Sequence, residues 1–247
     1  MQRETARCNG IDIVYDGLGR GQSALLLHAG GERRRVWYPV MEYLDKKGLR
    51  SIACDQRGHG DSGGTTADGV IAFAADTALM VAHLRGCPVI VGASLGGFAA
   101  MLALADLKLQ SDVAGLILVD VIPDPDPSRV RTYLAGEERQ ALGRSPLVSD
   151  ILDRAEQFLG ATASLHIPVL LVRSGKGSAI TDEEVARLSM LVPQLQTTIV
   201  ENAGHLIARD APTELAELIA EFMQSDKVRA RHIQWIGKYA HPIQAKS

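Results

Sequence analysis

The sequence predicts an α/β fold whose mostly parallel sheet is covered by helices on both faces. Three observations carry that prediction. Short apolar, β-branched runs alternate along the chain with stretches whose apolar residues recur at helical spacing. Two of the runs, Ser23 to Leu27 and Gly115 to Val119, are almost wholly apolar, as strands covered on both faces must be. Finally, Val89-Ile90-Val91-Gly92-Ala93-Ser94-Leu95-Gly96 passes from a strand pattern, through a serine set among small residues, into a helix pattern.

In order, Ile11 to Tyr15 alternates like an edge strand, and the glycine-rich Asp16 to Gly21 reads as a hairpin turn. Ser23 to Leu27 is a buried strand ending in His28-Ala29-Gly30-Gly31. Glu32 to Leu44 has helical spacing, with Val36, Trp37, Val40, Met41 and Leu44 on one face. Strand Arg50 to Cys54, helix Ala72 to Leu84, strand Pro88 to Val91 and helix Gly97 to Leu107 continue the rhythm. Strand Gly115 to Val119 stops at Asp120. The alternate prolines of Val121 to Pro127 deny regular structure, and modest helices are expected over Arg131 to Leu142 and Leu147 to Leu159. Strands resume at Pro168 to Val172 and Gln196 to Val200, with helices beginning at Thr181 and Pro212. The reading is a core of residues 1–120 and 168–223, a short helical cap of 121–167, and a basic tail of 224–247. The tail places Val228, His232, Trp235, Ile236 and Tyr239 on one helical face. A helix docked on its own domain explains that face; a homodimer arm or an anionic-surface contact is the alternative.

Composition narrows the partners. A net charge of −3 over 247 residues gives no reason to expect nucleic acid or an acidic membrane surface. Cys8, Cys54 and Cys87 are odd in number and lack metal-type spacing, so neither a disulfide framework nor a metal site is expected. No apolar run has signal-peptide or membrane-spanning length, which makes a cytoplasmic location and a small-molecule substrate the expectation. No cofactor is called for.

The chemistry gathers at Ser94. Gly92-x-Ser94-x-Gly96 between a strand and a helix is the pattern that lifts a serine hydroxyl clear of a sheet. Such a nucleophile needs a base, an acid to orient the base, and donors for the oxyanion. His205 follows a late strand and precedes the last core helix, where a base can reach the sheet's carboxyl end. His28 reads instead as a structural hydrogen-bonding residue. The oxyanion donors are expected to be the N–H of Leu95, at a helix start, and of Gly30, with Ala29 as fallback. Arg33, Arg34 and Arg35 read as a solvated helix start, with steering of an acidic substrate as the alternative.

Leu27-His28-Ala29-Gly30-Gly31, Asp55-Gln56-Arg57-Gly58-His59-Gly60-Asp61-Ser62, Gly92 to Gly97 and Asn202-Ala203-Gly204-His205 together resemble the α/β-hydrolase superfamily, in its motif order and up to about Phe222. The resemblance implies eight strands with a cap after the sixth. It is nearest to small bacterial esterases and lactonases, and makes Asp55 and Arg57 a structural ion pair. It also implies an acid after the seventh strand. There the chain reads Arg173 to Ile180, with Ser178 where an aspartate is expected. Asp120, after the sixth strand, is the leading substitute, as in haloalkane dehalogenases and some cofactor-free dioxygenases. Asp182, Asp124 and Asp126 are the alternatives. The short cap suggests an open, shallow site. The activity implied is hydrolysis of a carboxylic ester, thioester or lactone through an acyl-enzyme on Ser94. A cofactor-free dioxygenase, a perhydrolase or a non-catalytic binding protein are the competing readings.

Overall fold

The computed structural model describes residues 1–136, 143, 145–178 and 180–239. One sheet of eight strands runs through it in the order β1-β2-β4-β3-β5-β6-β7-β8. The strands are β1 (Gln2–Cys8), β2 (Ile11–Leu18), β3 (Ser23–Leu27), β4 (Arg50–Cys54), β5 (Val89–Ala93), β6 (Gly115–Val119), β7 (Val169–Ser174) and β8 (Leu195–Val200). β2 is antiparallel to β1 and β4, and the six strands from β4 to β8 are parallel.

Side chains alternate between two cores. Leu25 and Leu27 of β3 and Leu116 and Leu118 of β6 face Phe73, Met80 and Ala99. The intervening Ala24, Leu26, Ile117 and Val119 face Trp37, Met41 and Ile219. The period of two is what lets one strand serve both layers. Cutting Leu118 to Ala is expected to cost roughly 2–5 kcal/mol.

Around the sheet lie α1 (Tyr38–Lys46), α2 (Val70–Leu84), α3 (Leu95–Ala103), α4 (Leu107–Ser111), α5 (Pro127–Leu134), α6 (Pro146–Leu152), α7 (Ala155–Ala163), α8 (Asp182–Leu191), α9 (Ile207–Asp210), α10 (Pro212–Gln224) and α11 (Asp226–Tyr239). β3 pairs with β4 on one side and β5 on the other, so successive connections leave in opposite directions. That divergence opens a crevice at the strands' carboxyl ends, where ligands bind in open α/β sheets.

Four expectations change. The edge strand is β1, not Ile11 to Tyr15; only Ala6 and Cys8 of β1 are buried, so its sequence carries too little apolar alternation to announce it. Asp16 to Gly21 is not a hairpin turn, because β2 pairs with β4 rather than β3. The hairpin turn is Asn9-Gly10, where both residues have positive φ, 46° and 79°, as a tight two-residue loop requires. Leu147 to Leu159 is two helices, α6 and α7, separated at Asp153 and Arg154. The helix expected over Arg131 to Leu142 starts earlier, at Pro127, and α5 ends at Leu134; residues 137–142 lie outside the described residues, as do Ala179 and residues 240–247 of the tail.

The tail helix α11 docks on its own chain. Val228 is buried, Trp235 Nε1 donates to Asp112 at 3.0 Å, and Arg231 donates to the carbonyls of Gln110 and Val113. Ile236 and Tyr239 stay exposed. The three cysteines are buried and unpaired. Among the described residues, no helix is long and apolar enough to cross a membrane.

Candidate active site

Ser94 sits between β5 and α3 with φ 46° and ψ −109°, a conformation a side-chain-bearing residue adopts only when its surroundings enforce it. The enforcement comes from close packing. A Cβ at Gly92 would lie 2.6 Å from the Gly96 carbonyl carbon and the Gly97 Cα; one at Gly96 would lie 2.5 Å from the Leu27 carbonyl oxygen. At Gly97 it would meet Val121 Cγ1 at 2.3 Å. Glycine at these positions lets α3 lie directly on β3 and β5. Ser94 N–H donates to Val119 O at 3.2 Å, while Ser94 O accepts from Gly97 and Phe98. Leu95 opens α3, where a first-turn amide has no intrahelical acceptor.

Asp120 follows β6 directly and also has a positive φ, 49°. Its carboxylate is buried and takes four hydrogen bonds. Oδ1 accepts from Ser174 N–H at 2.8 Å and Ser178 Oγ at 3.0 Å. Oδ2 accepts from Ser174 Oγ at 3.0 Å and faces His205 Nδ1 at 2.8 Å. Burial alone pushes this carboxyl up. The hydrogen bond and charge of His205, with the donors from Ser174 and Ser178, outweigh burial and hold it below its ordinary value. An ionised carboxylate only accepts, so Nδ1 carries the proton, and it is the neutral form of the ring that keeps a lone pair on Nε2. Against the imidazole packs Tyr133 of α5, ring centroids 4.6 Å apart, edge to face. Asp210 accepts from Gly204 N–H at 3.0 Å and steadies the loop that carries His205.

The loop after β3 is tied to the loop after β4. His28 is fully buried; Gln56 N–H donates to its Nε2 at 3.0 Å, and its Nδ1 meets Ala29 O at 2.8 Å. Burial pulls its pKa down to about 4, so it is a neutral structural residue. Ala29 N–H donates to Glu32 Oε2 at 3.3 Å, and Gly31 N–H to His59 Nε2 at 3.2 Å. Gly30 N–H, between them, has no protein partner among the described residues.

Two charge expectations are corrected here. Arg34 is not part of a solvated helix start: it is 2% exposed and bonded to Asp16, Asp55 and Asp61. Three carboxylates are what allow a guanidinium to be buried, and they leave it no role in steering substrate. Asp55 therefore pairs with Arg34 rather than Arg57, whose partners are Asp76 and Asp68. Both pairs brace loops.

Ser94, His205, Asp120, Leu95 and Gly30 all line one cavity of ≈ 300 Å³. Its far wall is apolar and comes largely from the stretch between β6 and β7, with Val130, Leu134, Leu147, Val148, Ile151 and Leu152. α5 and α6 turn their apolar faces into it. Glu32 and Arg209 stand at the polar side. Glu32 is raised above its ordinary value by burial, against the opposing pull of Ala29 N–H, Arg209 and His205. The alternative acids are elsewhere. Asp182 is exposed and paired with Arg173 at 2.7 Å. Asp126 caps α5 and is drawn down to about 2 by the Ser128 hydroxyl and the amides of Arg129 and Ser128. Asp124 does not line the cavity.

A family profile described as the alpha/beta hydrolase fold matches residues 25–148, half of the chain. The chain belongs to the α/β-hydrolase family. Among relatives of this hydrolase, an esterase of Mycobacterium tuberculosis is 25% identical over 254 residues, covering 81% of this chain and 82% of its own. The 2-(acetamidomethylene)succinate hydrolase of Mesorhizobium japonicum is 24% identical, over 84% of this chain and 90% of its own. The solved structure of a thermophilic esterase from Thermogutta terrifontis superposes with a TM-score of 0.68 at 24% identity, over 94% of this chain and 100% of that one. As a hydrolase of this fold, the chain thus carries its eight mostly parallel strands with β6, not β7, delivering a carboxylate to His205.

Sequence reasoning missed Glu32, Tyr133, Ser174 and Arg209. Glu32 had a signal: an acid three residues past Ala29, spaced to close a turn. The others had none, because a tyrosine, a serine or an arginine on a helix or strand end is ordinary until its neighbours are known.

Proposed function

We propose that the protein is a serine hydrolase of carboxylic esters, thioesters or lactones carrying an apolar acyl group. The observation that supports it best is the 2.8 Å Asp120–His205 contact in the cavity that also displays Ser94. His205 Nε2 takes the Ser94 hydroxyl proton as Oγ bonds to the substrate carbonyl carbon. The carbonyl electron pair moves onto oxygen, which the N–H groups of Leu95 and Gly30 receive. As the tetrahedral intermediate collapses, the leaving oxygen or sulfur departs with the proton from His205. Water, deprotonated by the same nitrogen, then attacks the acyl-enzyme, and His205 returns that proton to Ser94 Oγ as the acid leaves. Asp120 keeps Nδ1–H in place and offsets the imidazolium charge. The apolar wall receives the acyl group. Relatives named as esterases agree with this chemistry. The test is labelling with a fluorophosphonate and p-nitrophenyl ester turnover. The reading expects one adduct on the Ser94 peptide and loss of both signals in Ser94→Ala; turnover unchanged in that variant contradicts it.

A further inference from the structure

An oxyanion donor is useful only if it is aimed before the charge develops, and Gly30 lies in a loop with no helix or strand to aim it. Two side chains supply the missing constraint. Glu32 N–H donates to Ala29 O at 3.1 Å, closing a four-residue turn with Gly30 and Gly31 at its centre. The Glu32 carboxylate reaches back to accept Ala29 N–H at 3.3 Å, so one residue closes the turn with both backbone and side chain. From the β4 loop, His59 Nε2 accepts Gly31 N–H at 3.2 Å, while its Nδ1 meets Arg57 O at 2.9 Å. That pair of contacts fixes His59 as the neutral tautomer with Nδ1–H donating. The ring is held edge-on between His28 and Phe73, at centroid distances of 5.0 and 6.2 Å. The amides on both sides of Gly30 are thus engaged by side chains, and its own is left for the cavity.

We propose that Glu32 and His59 are positioning residues that aim the Gly30 N–H at the developing oxyanion, Glu32 from within the turn and His59 from the neighbouring loop. This rests on the serine-hydrolase reading above. Glu32 acts through its acceptor oxygen rather than its charge, since a negative charge beside an oxyanion opposes it. Glutamine, which keeps an acceptor oxygen and drops the charge, is therefore the diagnostic replacement.

The experiment compares wild type with Glu32→Ala, Glu32→Gln, His59→Leu and His59→Gln. It reads kcat and KM on a p-nitrophenyl ester, and Ki for an aryl trifluoromethyl ketone, whose Ser94 adduct places an oxyanion in the hole. Losing an oxyanion donor outright costs about 10²–10³ in kcat, so a misaimed one is expected to cost about 10-fold or more. Glu32→Ala and His59→Leu should lose kcat and ketone affinity in parallel, with KM within about twofold; each Gln variant should recover most of both. Circular dichroism and Tm identify any variant that fails to fold, and the other position's pair then decides. Unchanged kcat and Ki in folded Glu32→Ala and His59→Leu overturn the proposal alone, as does a loss that Gln does not recover. A wild type that the ketone does not inhibit overturns it together with the serine-hydrolase reading.

Discussion

β6 and β7 end side by side on the same edge of the sheet, and their ends do opposite things. β6 ends in Asp120, whose carboxylate meets His205. β7 ends in Ser174 and leads to Ser178, which bring no charge but donate an N–H and two hydroxyls to that carboxylate. The resemblance read from the sequence implied that the second end carries the acid. Here a carboxylate on β6 stands beside the imidazole, and the β7 end supplies hydrogen-bond donors to it. On the serine-hydrolase reading, the requirement is a negative charge next to Nδ1, whichever strand brings it.

Removing the charge from the first end should have the largest effect. Asp120→Asn keeps the size and tolerates positive φ, yet it is expected to lower kcat/KM by roughly 10⁴-fold, because the neutral amide cannot offset the imidazolium. Stopped-flow ester hydrolysis, with circular dichroism as the fold control, measures it. Charging the second end without touching the first is next. Ser178→Asp sets two carboxylates against each other where Ser178 Oγ now donates at 3.0 Å, so one must take up a proton. A loss of about 10-fold in kcat/KM is expected, because the shared proton draws the Asp120 carboxylate away from the imidazole.

Acid should separate the two ends from their surroundings. Asp120 is lowered in the folded state, so its stabilisation is complete above the unfolded pKa near 3.9 and is lost as pH falls through the folded value. His28 acts at higher pH. Its folded pKa of about 4 lies below the ordinary 6.5, so the unfolded chain binds the extra proton between these values. Stability is full above about 6.5 and declines down to about 4, by roughly 3 kcal/mol. Urea midpoints from pH 7 to 4 should fall accordingly, and Asp120→Asn should leave that window unchanged while weakening the further fall below pH 4, to which Asp16 and Asp126 also contribute. Smallest of all is Ser178→Ala. It removes one of four hydrogen bonds, and is expected to cut kcat/KM by a few-fold and, by letting the folded Asp120 pKa rise toward its unfolded value, to make the acid loss of stability smaller.

Much of this was legible in the sequence. The elbow announces itself because a serine on a strained turn needs glycine around it, and the close approaches at Gly92, Gly96 and Gly97 show why. His205 was readable from its place between the last strand and the following helix. Asp120 was readable by the absence of a carboxylate at Ser178. Buried charge pairing was not. Asp55 and Arg57 are two residues apart and do not pair, while Arg34–Asp55 and Arg57–Asp76 are 21 and 19 residues apart and do, a pairing set by three-dimensional proximity that no spacing records. β1 was missed for a related reason: an exposed edge strand buries only Ala6 and Cys8, so its pairing comes from the backbone and leaves little trace in side-chain pattern.

The central claim is that the imidazole requires a carboxylate in one place, whichever strand delivers it. The most direct test is kcat/KM of the double variant Asp120→Asn/Ser178→Asp against Asp120→Asn alone. The account predicts that the second carboxylate restores at least about tenfold of the lost rate. A folded double variant no faster than the single one, or an Asp120→Asn enzyme that keeps the wild-type rate, would contradict it.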